Sequence, residues 1–164
     1  MKRAIESIDH TKARKLGFSG EDVLLEFFSD VDSEKSDNRY DMFRDIIVNG
    51  DDVEIKTQVP YRFFGSRKSP AFTISVADGY TIRSNQLNKC MNVTRLIFIK
   101  RPSNDDPVLR IYEAPPLGKR YFELVRNRKD DRIVAGIYID SMTQLGVIED
   151  EHVVKKFMED RSWL

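Results

Sequence analysis

The chain has a single cysteine in 164 residues, Cys90. That excludes an internal disulfide and any cysteine-rich zinc site. Cys90 itself reads as a small, half-buried packing residue on a helix. Histidine is nearly as scarce, with only His10 and His152, and neither belongs to a ligand pattern such as His-Glu-x-x-His. No apolar run approaches the ~20 residues of a membrane span. The charged start, Met1-Lys2-Arg3, lacks the apolar region of a signal peptide. A net charge is missing too: Lys plus Arg and Asp plus Glu number 27 each, so the overall balance says nothing about partners. There are no repeats, no low-complexity tracts, no glycine-rich phosphate loop and no nucleophile elbow. Together these absences predict a soluble, cytoplasmic chain in a reducing compartment, with no membrane partner and no motif for small-molecule chemistry.

What remains is a globular composition. At 40% hydrophobic residues the chain can bury a real core, and 164 residues suit one domain, 1–164. Charge is unevenly spread along it. From Gly20 to Glu54 there are 12 acids and 3 bases, whereas Ile55 to Asn104 holds 9 bases and one acid, Asp78. Acids that attract a cation beside bases that hold a phosphate backbone suit an enzyme acting on a polyanion, although such blocks also arise as solvated faces.

The most informative stretch is Asp45-Ile46-Ile47-Val48-Asn49-Gly50-Asp51-Asp52-Val53-Glu54-Ile55-Lys56. Asn-Gly between two apolar-rich runs predicts a two-residue β-hairpin turn. With Asn49 and Gly50 at the turn, Val48 pairs with Asp51, Ile47 with Asp52, Ile46 with Val53, and Asp45 with Glu54. Opposed residues share a face, and Lys56, two beyond Glu54, projects from it as well. Two carboxylates and an ammonium are thereby gathered in one place. Such a pair of carboxylates suits Mg²⁺, which keeps water and accepts phosphate oxygens. A nearby lysine steadies water or developing charge. Asp41 is the rival for the Asp position but ranks second, since the same register places it opposite Gln58, farther from Glu54.

Asp45 followed by Glu54-Ile55-Lys56 resembles the signature of the PD-(D/E)XK nuclease superfamily, the fold of many restriction enzymes and Holliday-junction resolvases. Arg44 stands where that family usually has proline. The resemblance implies that Asp45, Glu54 and the backbone carbonyl of Ile55 bind Mg²⁺, with Mn²⁺ as a substitute. It implies that Lys56 positions or activates water, and that Gln58 neighbours the lysine on the active face. Gly17-Phe18-Ser19-Gly20-Glu21 looks like the helix opening of resolvase-like members, which makes Glu21 an accessory acid. A favourable charge near a helix N-terminus is the alternative for Glu21. The implied activity is metal-dependent hydrolysis of DNA phosphodiester bonds. The alternative is a non-catalytic nucleic-acid-binding or assembly protein that keeps the fold.

Taken in order, residues 2–15 read as a short helix ended by Gly17, and Ser19 as the N-cap of a helix over about Gly20–Ser29. The apolar face of that helix carries Val23, Leu24, Leu25, Phe27 and Phe28. Glu26 lies about 155° from its centre and is expected in solvent. Residues 30–39 read as a flexible polar loop. After the hairpin, Pro60 ends the strand, and 61–70 mixes bases and aromatics without an acid. Arg62, Arg67 and Lys68 there, together with Arg83 and Lys89, are the candidate contacts to duplex or branched DNA. Its phenylalanines serve equally well as core.

Strand 71–76, helix 84–92 and a buried strand 95–100 complete the αβββαβ order of a restriction-endonuclease-like α/β fold, a mixed central sheet flanked by helices. That core spans 17–101. Residues 102–164 form a C-terminal α/β extension with strands near 108–113 and 132–139, an ambiguous segment 117–128 and a closing helix 149–160. Val153, Val154, Phe157 and Met158 of that helix are expected to face inward, and Trp163 to pack or anchor a partner. Substrate recognition or a homodimer contact are the uses such an extension suggests.

Overall fold

A computed structural model describes residues 20–31, 33–35, 46–62, 69–76, 84–127 and 132–159. The described chain is α/β. In order it forms α1 (Gly20–Phe27), β1 (Ser33–Lys35), β2 (Ile46–Val48), β3 (Asp51–Gln58), β4 (Ala71–Ser75), α2 (Ser84–Asn92), β5 (Arg95–Lys100) and β6 (Leu109–Glu113). There follow β7 (Glu123–Asn127), β8 (Arg132–Tyr138), a 3₁₀ turn (Ile139–Ser141), β9 (Thr143–Ile148) and α3 (Glu151–Glu159). A mixed sheet runs β1-β2-β3-β5-β6-β9, and a second sheet runs β4-β8-β7. Within the mixed sheet only β3 and β5 are parallel.

The turn at the tip of β2–β3 follows from its two residues. Asn49 and Gly50 both have positive φ, 50° and 82°, the backbone that a two-residue hairpin turn demands and these residue types tolerate. The register is Val48↔Asp51, Ile47↔Asp52 and Ile46↔Val53, as the sequence predicts. Alternation along β3 then sends Val53 and Ile55 to one face of the mixed sheet and Glu54, Lys56 and Gln58 to the other.

The first face is an apolar layer. Val53, Ile55, Ile97, Ile99, Leu109 and Ile111 pack there against Val23 and Leu24 of α1 and Val153 and Phe157 of α3. Helix α1 approaches closely because Gly20 carries no side chain. A Cβ at that position would stand 2.9 Å from Thr57 Oγ1 and 3.2 Å from Ile99 Cδ1. That contact also corrects the expectation for Glu26, which is 3% exposed rather than in solvent. The helix beds down along the i, i+3 line Gly20–Val23–Glu26, together with Leu24. A glycine that contributes nothing to an apolar pattern therefore sets which side of the helix is inside. Phe27 lies on Gly146 of β9, where an added Cβ would come within 2.6 Å of its ring.

The second face carries Leu96 and Phe98 of β5 against Phe72 and Ile74 of β4, Ala135 and Ile137 of β8, and Cys90 and Val93 at the end of α2. Phe72 stacks on Phe98 with centroids 4.6 Å apart, a contact that ties one sheet to the other. Cys90 is fully rather than half buried. The Arg120 guanidinium closes the end of α2, donating to the carbonyls of Cys90 at 3.3 Å, Thr94 at 2.8 Å and Pro115 at 3.0 Å, and to that of Val93. A cation on carbonyls at a helix C-terminus is favourably placed against the helix dipole. Burial pushes the Arg120 pKa down from its ordinary value.

Several expectations change. Strand 71–75 exists but leaves the hairpin's sheet and pairs with β8, Phe72 opposite Ile137. Ser33–Lys35, expected as loop, forms an edge strand on β2. Residues 102–159 are no appendage: β6 and β9 extend the mixed sheet and Phe157 lies in its core. The ambiguous 117–128 holds strand β7. Met158 is 40% exposed rather than inward, because Val153 and Phe157, four apart, already define the buried side of α3. The expected helix 2–15, the Ser19 cap, Trp163 and His10 lie outside the described residues. Among those described, no helix is long and apolar enough to cross a membrane.

Candidate functional site

The polar group on the second face is built from β3 and α2. Glu54 is 2% exposed, held within the fold by the strands on either side and by the helix across it. A buried carboxylate needs compensating charge, and here two ammonium groups supply it. Lys56 Nζ stands 3.4 Å from Glu54 Oε1, and Lys89 Nζ 2.6 Å from Oε2. Lys56 also donates to Gln86 Oε1, so helix α2 contributes two side chains, Gln86 and Lys89, three apart on one face.

Gln58 lies farther along the same face with its amide engaged. It accepts from the Thr73 backbone N–H at 2.8 Å and donates to the Thr73 carbonyl. That clip joins β3 of the mixed sheet to β4 of the second sheet, so the expected neighbour of the lysine is also a sheet-to-sheet bracket. Beyond it Tyr61 and Ala71 exchange both backbone hydrogen bonds, each 2.8 Å. The base of the basic loop is thereby fixed beside the end of β3. Arg62 is exposed there.

The structure therefore brings together Glu54, Lys56 and Gln58 of the expected set, with Ile55 alternating to the apolar face. Lys89, expected as a DNA contact, is instead turned inward with its side chain 10% exposed. The reason is its helix: Lys89 precedes the fully buried Cys90, and α2 lies across the second face. Glu21 is half-buried on α1, which packs on the opposite face. Asp45, Asp41, Arg67, Lys68 and Arg83 lie outside the described residues. Sequence reasoning missed the partnership of Gln86 and Lys89 with Glu54. Their i, i+3 spacing beside Cys90 was the available signal.

Ionic groups also lie elsewhere among the described residues. Arg95 grips Glu113 through two bonds of 2.8 and 2.6 Å and lies over the Phe28 ring, 5.1 Å from its centroid. The Glu113 hydrogen bond raises the Arg95 pKa. Asp106 accepts from Arg110 and from Lys100. The Arg110 bonds first, then the Lys100 bond, hold the Asp106 carboxyl well below the usual carboxylate range.

Among the described residues no three His, Cys, Asp or Glu side chains converge on a metal position. The donor chemistry present is one buried carboxylate already matched by positive charge. The described residues do not by themselves make a divalent-cation site, since one carboxylate is met by two ammonium groups and residue 45 lies outside the described residues. Comparison with protein-family models, with curated proteins and with solved structures finds no match to this chain.

Proposed function

We propose that the chain is a metal-dependent endonuclease that hydrolyses DNA phosphodiester bonds, built on a restriction-endonuclease-like core. The observation that carries this reading is the shared face of Glu54 and Lys56, 3.4 Å apart, on a hairpin in the register that the sequence predicts from Val48↔Asp51 to Ile46↔Val53. Asp45, Glu54 and the Ile55 carbonyl would hold Mg²⁺, or Mn²⁺ in its place, and the cation would supply positive charge against the phosphate and the leaving oxygen. Lys56, positioned by Glu54 and Gln86, orients the attacking water. Gln58 keeps β4 against β3 and so fixes the wall beside it. Arg62, Arg67, Lys68 and Arg83 take the phosphate backbone, an attraction that salt weakens.

A second reading has its own support. The Lys89 ammonium 2.6 Å from Glu54 stands where a cation would, which favours a nucleic-acid-binding or assembly protein that keeps the fold without cutting. Incubation of supercoiled plasmid with Mg²⁺ or Mn²⁺ separates the two. The nuclease nicks or linearises it and the Lys56→Ala variant loses at least about a hundredfold in rate. Retarded but uncut plasmid at every metal concentration would favour the second reading.

A further inference from the structure

The second sheet ends on β7, and among the described residues no strand lies on its far side. An uncovered edge presents unpaired backbone N–H and C=O groups, and edges are commonly blunted by lysine, proline or a bulge. Strand β7, Glu-Leu-Val-Arg-Asn, has none of these, and its register with β8 runs unbroken from Glu123↔Gly136 to Asn127↔Arg132. Arg120, tied to the carbonyls at the end of α2, anchors the chain just before it. Leu124 stands opposite Ala135 and Arg126 opposite Ile133. These four therefore share a face, the one whose Ala135 enters the second core. That core does not reach the edge, since Leu124 is 62% and Ile133 46% exposed. An open edge thus runs beside an uncovered apolar surface.

We infer that β7 receives an extended segment of another protein as a fourth strand, with an apolar side chain over Leu124 and an acidic one against Arg126. Main-chain hydrogen bonds supply the affinity of such an addition, and alternate side chains its selectivity. Charge decides the occupant. From residue 114 to 138 the described residues expose Lys119, Arg126 and Arg132, while their one acid, Glu123, is half-buried. Alternation puts Glu123 on the opposite face from Arg126. An antiparallel two-fold dimer keeps like faces together, so a second copy brings only Leu124 or another Arg126 of β7 against Arg126, never Glu123. A foreign strand with an acid two places from an apolar residue satisfies both positions. This goes beyond the nuclease reading and does not rest on it.

The test uses the full chain and two fluorophore-bearing synthetic peptides, followed by anisotropy. One is acetyl-Thr-Glu-Thr-Val-Thr-Glu-Thr-amide, whose acids lie two places to either side of valine and so fit either strand direction. The other has lysine for both glutamates. The wild type should bind the glutamate peptide about tenfold more tightly than the lysine peptide, and Arg126→Glu should reverse that order. Leu124→Ser should weaken the glutamate peptide about fivefold. Both side chains are exposed, so circular dichroism should show both variants folded. Binding that ignores both substitutions would overturn the assignment to β7, and no binding of either peptide at up to about 1 mM would overturn the docking edge. A dimer of the free wild type that Leu124→Ser dissolves would put a second copy on the edge and overturn the foreign partner. If a variant does not fold, amide exchange of the wild type decides: slowing at β7 on adding the glutamate peptide upholds the inference, and no slowing there overturns it.

Discussion

The two faces of the mixed sheet are made from the same strands yet solve different problems. On the first, β3 contributes Val53 and Ile55 to an apolar cluster with residues of α1, β5 and α3, with Glu26 of α1 the buried charge on that side of the helix. On the second, β5 still contributes Leu96 and Phe98 to a core, while β3 contributes Glu54, Lys56 and Gln58, met by Gln86, Lys89 and Thr73. Half of the second face is thus apolar and half ionic, with the boundary running between two adjacent parallel strands, Glu54 beside Leu96 and Lys56 beside Phe98. A hydrophobic residue at 54 would fill the space at no desolvation cost. A buried carboxylate between two lysines stabilises a fold poorly compared with apolar packing. Retaining it there is understandable if the ionic half acts on something.

That contrast can be broken from either side. The largest effect belongs to the apolar half: Phe98→Ala removes a fully buried ring stacked on Phe72, and chemical denaturation should show a loss of about 3–5 kcal/mol. In the ionic half, Lys89→Ala leaves Glu54 buried with less compensation and should cost about 3 kcal/mol. The double change Glu54→Leu with Lys89→Met should return to within about 1 kcal/mol of the wild type while abolishing plasmid cleavage. A double variant as unstable as the single one would mean that the ions serve the fold. Gln58→Ala opens the bracket to Thr73 and should cost about 1–2 kcal/mol, seen as a lowered denaturation midpoint.

The smallest effect lies away from both faces. Asp106 is held below its ordinary pKa by Arg110 and Lys100. A depressed carboxylate stabilises the fold above its unfolded pKa and loses that contribution as pH falls through the folded one. All three side chains are partly exposed, so solvent screening keeps the gain under about 1 kcal/mol. Wild-type and Asp106→Asn melting temperatures should therefore differ slightly at pH 7 and begin to converge only as pH falls below about 4.

What could be read from the sequence, and what could not, divides along local and long-range physics. Asn49-Gly50 dictates its own turn, and the turn dictates the register to Ile46↔Val53, so the shared face of Glu54 and Lys56 was legible. The buried strand 95–100 was legible because Leu-Ile-Phe-Ile is apolar on both faces. The partner of strand 71–75 was not. Its alternation announces a strand, but the choice of β8 depends on residues far along the chain, from Val134 to Tyr138. Strand β9 was missed because Thr-Gln-Leu-Gly-Val-Ile at a sheet edge lacks clean alternation, and its register against β6 shifts between Ile111 and Tyr112. Glu26 was misplaced because an apolar moment gives no weight to Gly20, the residue that decides how closely α1 approaches. Lys89 was misplaced for a related reason: a lysine on a helix reads as surface until a buried acid on another element claims it.

Whether residue 45 supplies the second carboxylate of the proposed nuclease site is read from plasmid cleavage by Asp45→Asn and Asp41→Asn in the presence of Mn²⁺. The wild type and Asp41→Asn should cut while Asp45→Asn does not; full cleavage by Asp45→Asn would rule out a nuclease site built on that residue.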